Sequence, residues 1–293
     1  MAQITNADAK PPRRNSEEYR EYVKLRLKAA PWWLYAIIAI AILTFVTILT
    51  NIPFQKAFLF IKAGLSVTIT TTLIAFIFAL VLGLLTGLGR ISDNTFFKNL
   101  ATLYVELIRG IPMLVLIFFI AFVGIPGAVN GIKALGVWLT QIGITGIGTW
   151  LSAIKNEVPM NTRAVIALST TYGAFLAEIF RAGIQSIGRG QMEAARSQGM
   201  SYWQAMRYII LPQAIRNVLP ALGNDFISML KDSSLVSVLA VRDITQIAKL
   251  YAGRTFQYQE SYITLAVLYL TMTILLSFLM KFIEKRIQKN EQR

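Results

Sequence analysis

The residues able to do chemistry are few. The chain has 293 residues and contains neither cysteine nor histidine. That removes the thiol nucleophile, the disulfide, the thiolate metal ligand and the commonest general base and proton relay. What remains are acids and bases set inside apolar stretches: Glu106 and Arg109, Glu178 and Arg181, then Asn224, Asp225, Ser228, Lys231 and Asp232. A charge in such surroundings is costly and is a candidate for passing a charged solute. Glu106–Arg109 and Glu178–Arg181 are each spaced three apart, so on helices each pair can close on itself and hold the fold. Asp225, Ser228 and Asp232 follow three- and four-residue spacing and share a helix face, and Lys231 shares a face with Asn224. Asp225 and Lys231 offer both signs, which suits a solute with an ammonium and a carboxylate held away from bulk water. Glu178, Asp225, Ser228 and Lys231 are therefore the candidate solute path, with Glu178 nearer its inner mouth. The competing reading pairs Lys231 and Asp232 with a neighbouring helix as packing alone.

A second stretch is polar where its flanks are apolar. It runs from Glu193-Ala194-Ala195 through Gly199 and Ile209 to Leu211-Pro212. The spacing predicts two short helices with a glycine hinge. Gly190 is the expected N-cap, which puts Glu193 in the first turn, where the helix dipole favours an acid. Gly199 is placed to end that helix in a left-handed conformation. Ser201 followed by Gln204 is a capping box that starts the second helix, and Pro212 is expected to break or kink it. A solvated amphipathic helix is the plainer reading of this knob.

The elements that must position these residues follow from composition. Hydrophobic residues make up 55% of the chain and charged residues 15%, which excludes an ordinary soluble globule and indicates an all-α polytopic membrane protein. Residues 1–31 are basic and polar and read as a disordered start followed by a short charged helix over Tyr19–Leu27. No cleaved signal peptide is expected, because the polar lead is long and the next apolar run is span-length. Six spans are expected: a leading one from 32 to 52, then about 65–88, 103–123, 164–184, 218–241 and 262–283. In the second, Ala79, Gly83 and Gly87 allow close helix packing, and Thr68, Thr70, Thr71 and Thr72 read first as packing and second as a path lining. In the third, Gly110 and Pro112 should kink or unwind the helix. Residues 124–162 are ambiguous. Ile132–Ile154 is apolar, but Lys133, Gln141 and several Thr and Gly weaken a span reading, and a span there would put the knob on the other side. The segment reads as an interfacial or re-entrant insertion outside the cytoplasm.

A formal net charge of +14 would suggest nucleic acid in a soluble protein. Here Lys and Arg concentrate in the tails and the knob, so membrane orientation explains them and no nucleic acid is expected. Both termini (1–31 and 284–293) and the 185–212 loop then fall in the cytoplasm. No Gly-x-x-x-x-Gly-Lys-Ser/Thr occurs, so the chain has no phosphate-binding loop of its own. No cofactor or metal is expected.

The knob carries a resemblance. Glu193, Ala194, Ala195, Gly199, Ile209, Leu211 and Pro212 match the cytoplasmic EAA loop of permease subunits of bacterial ATP-binding-cassette (ABC) importers. Gly64–Thr68, Glu106–Pro112, Ala177–Ile184 and Leu230–Val238 resemble the polar amino-acid uptake branch of that family. The resemblance covers about Lys62 to the C-terminus, less the insertion. It implies a five-helix permease core over 62–283, to which this chain adds a leading helix that turns the N-terminus inside. It also implies a second permease subunit, identical or paralogous, a cytoplasmic ABC ATPase dimer, an extracytoplasmic solute-binding protein and an amino-acid substrate at the bacterial inner membrane. Glu193 would anchor the ATPase, Ala194 and Ala195 would form the contact face and Gly199 the hinge. The chain itself would not be an enzyme. Two other classes stay open on residues alone: a stand-alone secondary transporter or channel for small charged solutes, favoured by the intramembrane charges, and a non-transporting scaffold.

Overall fold

In a computed structural model of the chain, residues 32–154 and 157–289 are described. The 1–31 tail, with its expected helix at Tyr19–Leu27, and residues 290–293 lie outside them. Apart from short turns and loops the described residues are helical, and they contain no strand.

Helix α1 (Trp32–Thr50) is apolar all round, and Ile48 is its one buried hydrophobic residue among those described. Helix α2 (Ile52–Ile61) follows Asn51, with Pro53 in the first turn, where its missing N–H costs nothing. A tight turn at Lys62–Gly64 leads into α3 (Leu65–Arg90). The apolar run Ile52–Arg90 is thus helical for 39 residues, longer than the second span expected from sequence. Gly64 explains the tight turn. A Cβ there would lie 2.6 Å from the backbone of Asp243, and the Thr68 hydroxyl 3.1 Å from Ile244 N accepts that amide.

After a short loop, α4 (Thr95–Gly110) starts at Asn94, whose side chain accepts from Phe96 N. It ends where Ile111 and Pro112 turn extended, as Gly110-Ile111-Pro112 predicts. The third span therefore begins at Met113 rather than Leu103. It runs through α5 (Met113–Phe119), a wide π-turn at Ile120–Gly124 and α6 (Ile125–Gln141). The wide turn lets the helix continue into Pro126, which has no N–H to give. The insertion is therefore no separate loop. Its first arm prolongs the span, and α7 (Thr145–Ser152) folds back on it after Gly143, at φ +91°.

Helix α8 (Met160–Gln185) is the hub of the bundle. Small residues let α3 pack on it: a Cβ on Gly83 would sit 2.7 Å from Leu176 Cβ, and one on Gly87 2.9 Å from the Ala177 carbonyl. Buried Ala75, Ala79, Ile117, Leu168, Tyr172 and Leu176 make the centre of the core. Thr68, Thr71 and Thr72 are buried in protein, while Thr70 is exposed.

The knob is α9 (Arg189–Ser197) and α10 (Tyr202–Ala205). A second wide turn, Met206–Ile210, joins it to α11 (Leu211–Asp232). Pro212 does not break the helix, because the five-residue hydrogen bond from Leu211 N to the Met206 carbonyl resets the ladder just before it. The fifth span also differs from expectation at its far end. The helix stops at Asp232, a narrow 3-10 stretch covers Ser233–Leu239, and Ala240 turns left-handed at φ 57°. Helices α12 (Ile244–Thr255), capped by Asp243, and α13 (Tyr258–Lys289) close the chain. Four helical runs are long and apolar enough to cross a membrane: Ile52–Arg90, Met113–Gln141, Met160–Gln185 and Tyr258–Glu284. Helix α1, with 19 residues, and the more polar α11, with 22, complete the six expected.

Candidate functional site

The knob is built by its caps. Gly188, not Gly190, is the N-cap of α9, because it takes the extended backbone that precedes the helix. Glu193 consequently falls in the second turn, and the first turn holds no acid. At the other end Gly199, at φ +84°, donates to the Arg196 carbonyl and Met200 to the Ala195 carbonyl. This is the paired closure that a left-handed glycine makes possible. The capping box is complete: Ser201 Oγ accepts from Gln204 N at 3.3 Å, and Gln204 Oε1 accepts from Ser201 N at 2.8 Å.

The two alanines split. Ala195 is 5% exposed and packs inward, whereas Ala194 and Glu193 face out. Ala195 therefore belongs to the knob's own packing and not to an outward contact face. Buried Ile184, Met206, Ile210 and Ala214, with Leu88, Met192 and Ile209 against them, seat the knob on the bundle. Leu211 is half-buried and Pro212 exposed. One outward residue was missed: Trp203 is 74% exposed beside Tyr202, with the rings edge to face at 5.8 Å. The signal was present, since a tryptophan in the first turn after a capping box has no helical partner to cover it.

At the inner end of the spans the charges form a cluster that sequence spacing does not foretell. Glu178 is 19% exposed. Arg181 contacts its Oε2 with two nitrogens, at 2.9 and 2.8 Å, and also reaches Gln185. Arg90, from the end of α3, contacts its Oε1, and Arg109 lies 3.9 Å from the same oxygen. The expected Glu106–Arg109 pair does not form. Glu106 pairs with Arg90 at 3.5 Å, and the Arg109 guanidinium lies over the Phe175 ring. One carboxylate thus ties α3, α4 and α8 together where the knob begins. Both Glu178 oxygens are engaged, so the carboxylate has little left to offer a solute.

On α11, Asp225 and Ser228 are half-buried and Lys231 is exposed, with no ion pair to Lys231 among the described residues. Asp232 accepts from the Tyr172 hydroxyl of α8 at 2.6 Å, so the packing reading holds for it. Asp225 also lies within electrostatic reach of Tyr172. Glu178 stands six residues from Tyr172 on α8, about 9 Å along the axis, toward the knob. The sequence candidates therefore form two groups, the arginine cluster around Glu178 and the α8–α11 face of Tyr172, Asp225 and Asp232. The narrow stretch beyond Asp232 adds Ser237, which accepts from Lys249 Nζ at 2.8 Å. Irregular backbone at membrane depth is found where it is buried in protein or lines a cavity.

The family model for the inner membrane component of binding-protein-dependent transport systems matches residues 79–289. The probable glutamine ABC transporter permease protein GlnM of Bacillus subtilis (strain 168) is 40% identical over 223 residues, 76% of this chain and 91% of that protein. The glutamine transport system permease protein GlnP of Escherichia coli (strain K12) is 32% identical, over 77% of this chain and 91% of its own length. Among solved structures, a crystal structure of an amino acid ABC transporter with histidines has a chain 38% identical to this one, with a TM-score of 0.63, covering 81% of this chain and 97% of that one. The MetNI methionine ABC transporter, in its inward-facing form, shares the fold at 18% identity and a TM-score of 0.57, over 77% of this chain and 95% of that one. The matched segment contains the knob, the arginine cluster and α11, and the chain belongs to the inner-membrane permease components of binding-protein-dependent ABC transport systems.

Proposed function

We propose that the chain is the translocating subunit of an importer of polar amino acids. In this reading a second permease chain, identical or paralogous, completes the path. A cytoplasmic ATPase dimer supplies the energy and an extracytoplasmic solute-binding protein delivers the substrate. Both termini and the knob are cytoplasmic. The substrate class is supported by relatives whose names specify glutamine or arginine transport and by the polar face of α11.

The observation that carries the reading is mechanical. From the Ser201 cap to Asp232 the helix is unbroken, so the second helix of the knob and the face bearing Asp225 and Ser228 are one rod. Force applied by an ATPase to Trp203 reaches that face without crossing a loop, and force on Glu193 and Ala194 reaches it through the closed Gly199 turn and the packing of Met192 against the buried cluster of Met206 and Ile210. Asp225 is then the carboxylate placed to favour ammonium-bearing solutes, with Ser228 and Lys231 nearby, while Glu178 serves to fix the helices.

The test is reconstitution of the complex with its ATPase and candidate binding proteins, measuring uptake and ATP hydrolysis against a panel of amino acids. Asp225→Asn should change solute preference or apparent affinity and leave basal hydrolysis intact. Uptake that persists in proteoliposomes without any ATPase, driven by a gradient alone, would overturn the importer reading.

A further inference from the structure

The hairpin of α6 and α7 is used by neither the knob nor the path. Its position follows from one contact. Arg163, in the first turn of α8, donates from Nη1 to the Ala121 carbonyl at 2.8 Å. Ala121 is therefore level with the end of α8 opposite the knob, and α6 starts beyond it. Helix α6 has 17 residues, about 25 Å of rise. The hairpin leaves the bundle where the bundle ends.

Its two arms pack on each other through glycine. A Cβ on Gly136 would meet Ser152 N at 2.5 Å, and one on Gly148 would meet the Gly136 carbonyl at 2.8 Å. The rest of its surface is open. Ile132, Trp138, Ile142, Ile144, Ile147 and Trp150 are 40% to 69% exposed. Between residues 125 and 154 the only charged side chain is Lys133. Apolar surface of this kind does not stay in water. A soluble partner that comes and goes would leave it wet for part of every cycle. The same helix, one and two turns earlier, exposes Phe118, Phe119 and Phe122 on the apolar run that crosses the membrane, and the hairpin continues that surface.

We propose that the α6–α7 hairpin lies in the lipid leaflet opposite the knob, at the boundary of headgroups and acyl chains. Trp138 and Trp150 sit at headgroup depth, where indole rings are enriched. Lys133 reaches up its own stem to the phosphates, as long basic side chains do at an interface. The wide turn at Ile120–Gly124 and Pro126 interrupt the hydrogen-bond ladder where the hairpin joins the span, and they are where it would tilt into the leaflet. It is a monolayer anchor added to the permease core.

The experiment uses the full chain in liposomes with an ATPase whose own tryptophans are replaced by Phe. Trp32, Trp33 and Trp203 are replaced by Phe, so that emission reports Trp138 and Trp150 alone. Lipids brominated near the headgroup end of the acyl chain should lower that emission about twofold, the response of an interfacial tryptophan, and aqueous iodide should leave it nearly unchanged. Quenching by iodide would put the hairpin in water. Shielding from both quenchers would mean that protein, a second copy of the chain, covers it. Either outcome overturns the proposal. In a second variant, Ile147→Cys in this cysteine-free chain carries a spin label, and relaxation should be faster with dissolved oxygen than with a water-soluble nickel chelate. None of these readouts involves transport, so they leave the importer reading to its own test.

Discussion

Glu178 takes part in three of the ion pairs among the described residues. Three guanidinium groups from three helices converge on it, those of Arg90, Arg109 and Arg181. Removing its charge leaves them facing one another with only Glu106 to offset them. Breaking a mostly buried ion cluster on one side costs about 3–5 kcal/mol. Glu178→Gln should therefore lower the thermal midpoint of the detergent-purified protein markedly, and Glu178→Asp less, as followed by size-exclusion after heating. A midpoint equal to wild type would show the cluster to be dispensable. Gly199 poses a different case. At φ +84° a branched side chain is strained, whereas Asn tolerates the left-handed region. Gly199→Val should abolish coupled uptake with insertion intact, and Gly199→Asn should retain most of it. At this scale Gly199, Ser201 and Gln204 were legible in the sequence because caps are local. The partners of Glu178 were not. Arg90 and Glu178 lie 88 residues apart, and nothing in either segment names the other.

The helices were legible where one hydrophobic period runs unbroken, as in α3, α8 and α13. One reading failed where a proline was taken as a break or kink. Pro212 continues its helix, as Pro126 also does, because a wide turn just upstream removes the need for the missing N–H. That accommodation depends on backbone hydrogen bonding, which side-chain pattern does not report. The opposite error occurred at residues 233–239, where an apolar run looked helical but folds into a narrower 3-10 stretch ending in a left-handed alanine. Element packing also yields a sharp prediction. Gly87 brings α3 against the α8 backbone, with only 2.9 Å available between a new Cβ and the Ala177 carbonyl. Gly87→Ala must push two core helices apart, at about 1–3 kcal/mol for overpacking. Gly131→Ala meets nothing within 4 Å and serves as its neutral control. Equal thermal midpoints for the two variants would contradict this packing.

For the molecule as a whole, the membrane class and the family were legible from composition and seven spaced residues. The insertion reads from sequence as interfacial or re-entrant; what the pattern did not show is that its first arm continues the third span as one helix, because apolarity alone does not mark where a helix ends. The proposed topology puts the two ends of the bundle in different compartments. In intact cells, Gly131→Cys should react with an impermeant thiol reagent from outside, and Ser201→Cys should react only after the membrane is opened. Both reacting from one side would break that arrangement. The wide turn at Met206–Ile210 has a meaning beyond tolerating a proline. Such a turn holds one residue more than an α-helix would need, and each residue of an α-helix turns the chain by about 100°. The extra residue therefore sets the angular phase between the knob's second helix and the face bearing Asp225 and Ser228. Deleting it would leave every side chain at both ends intact and rotate one end past the other by more than a quarter of a circle. A one-codon insertion or deletion at this point would retime the machine without redesigning either of its working surfaces.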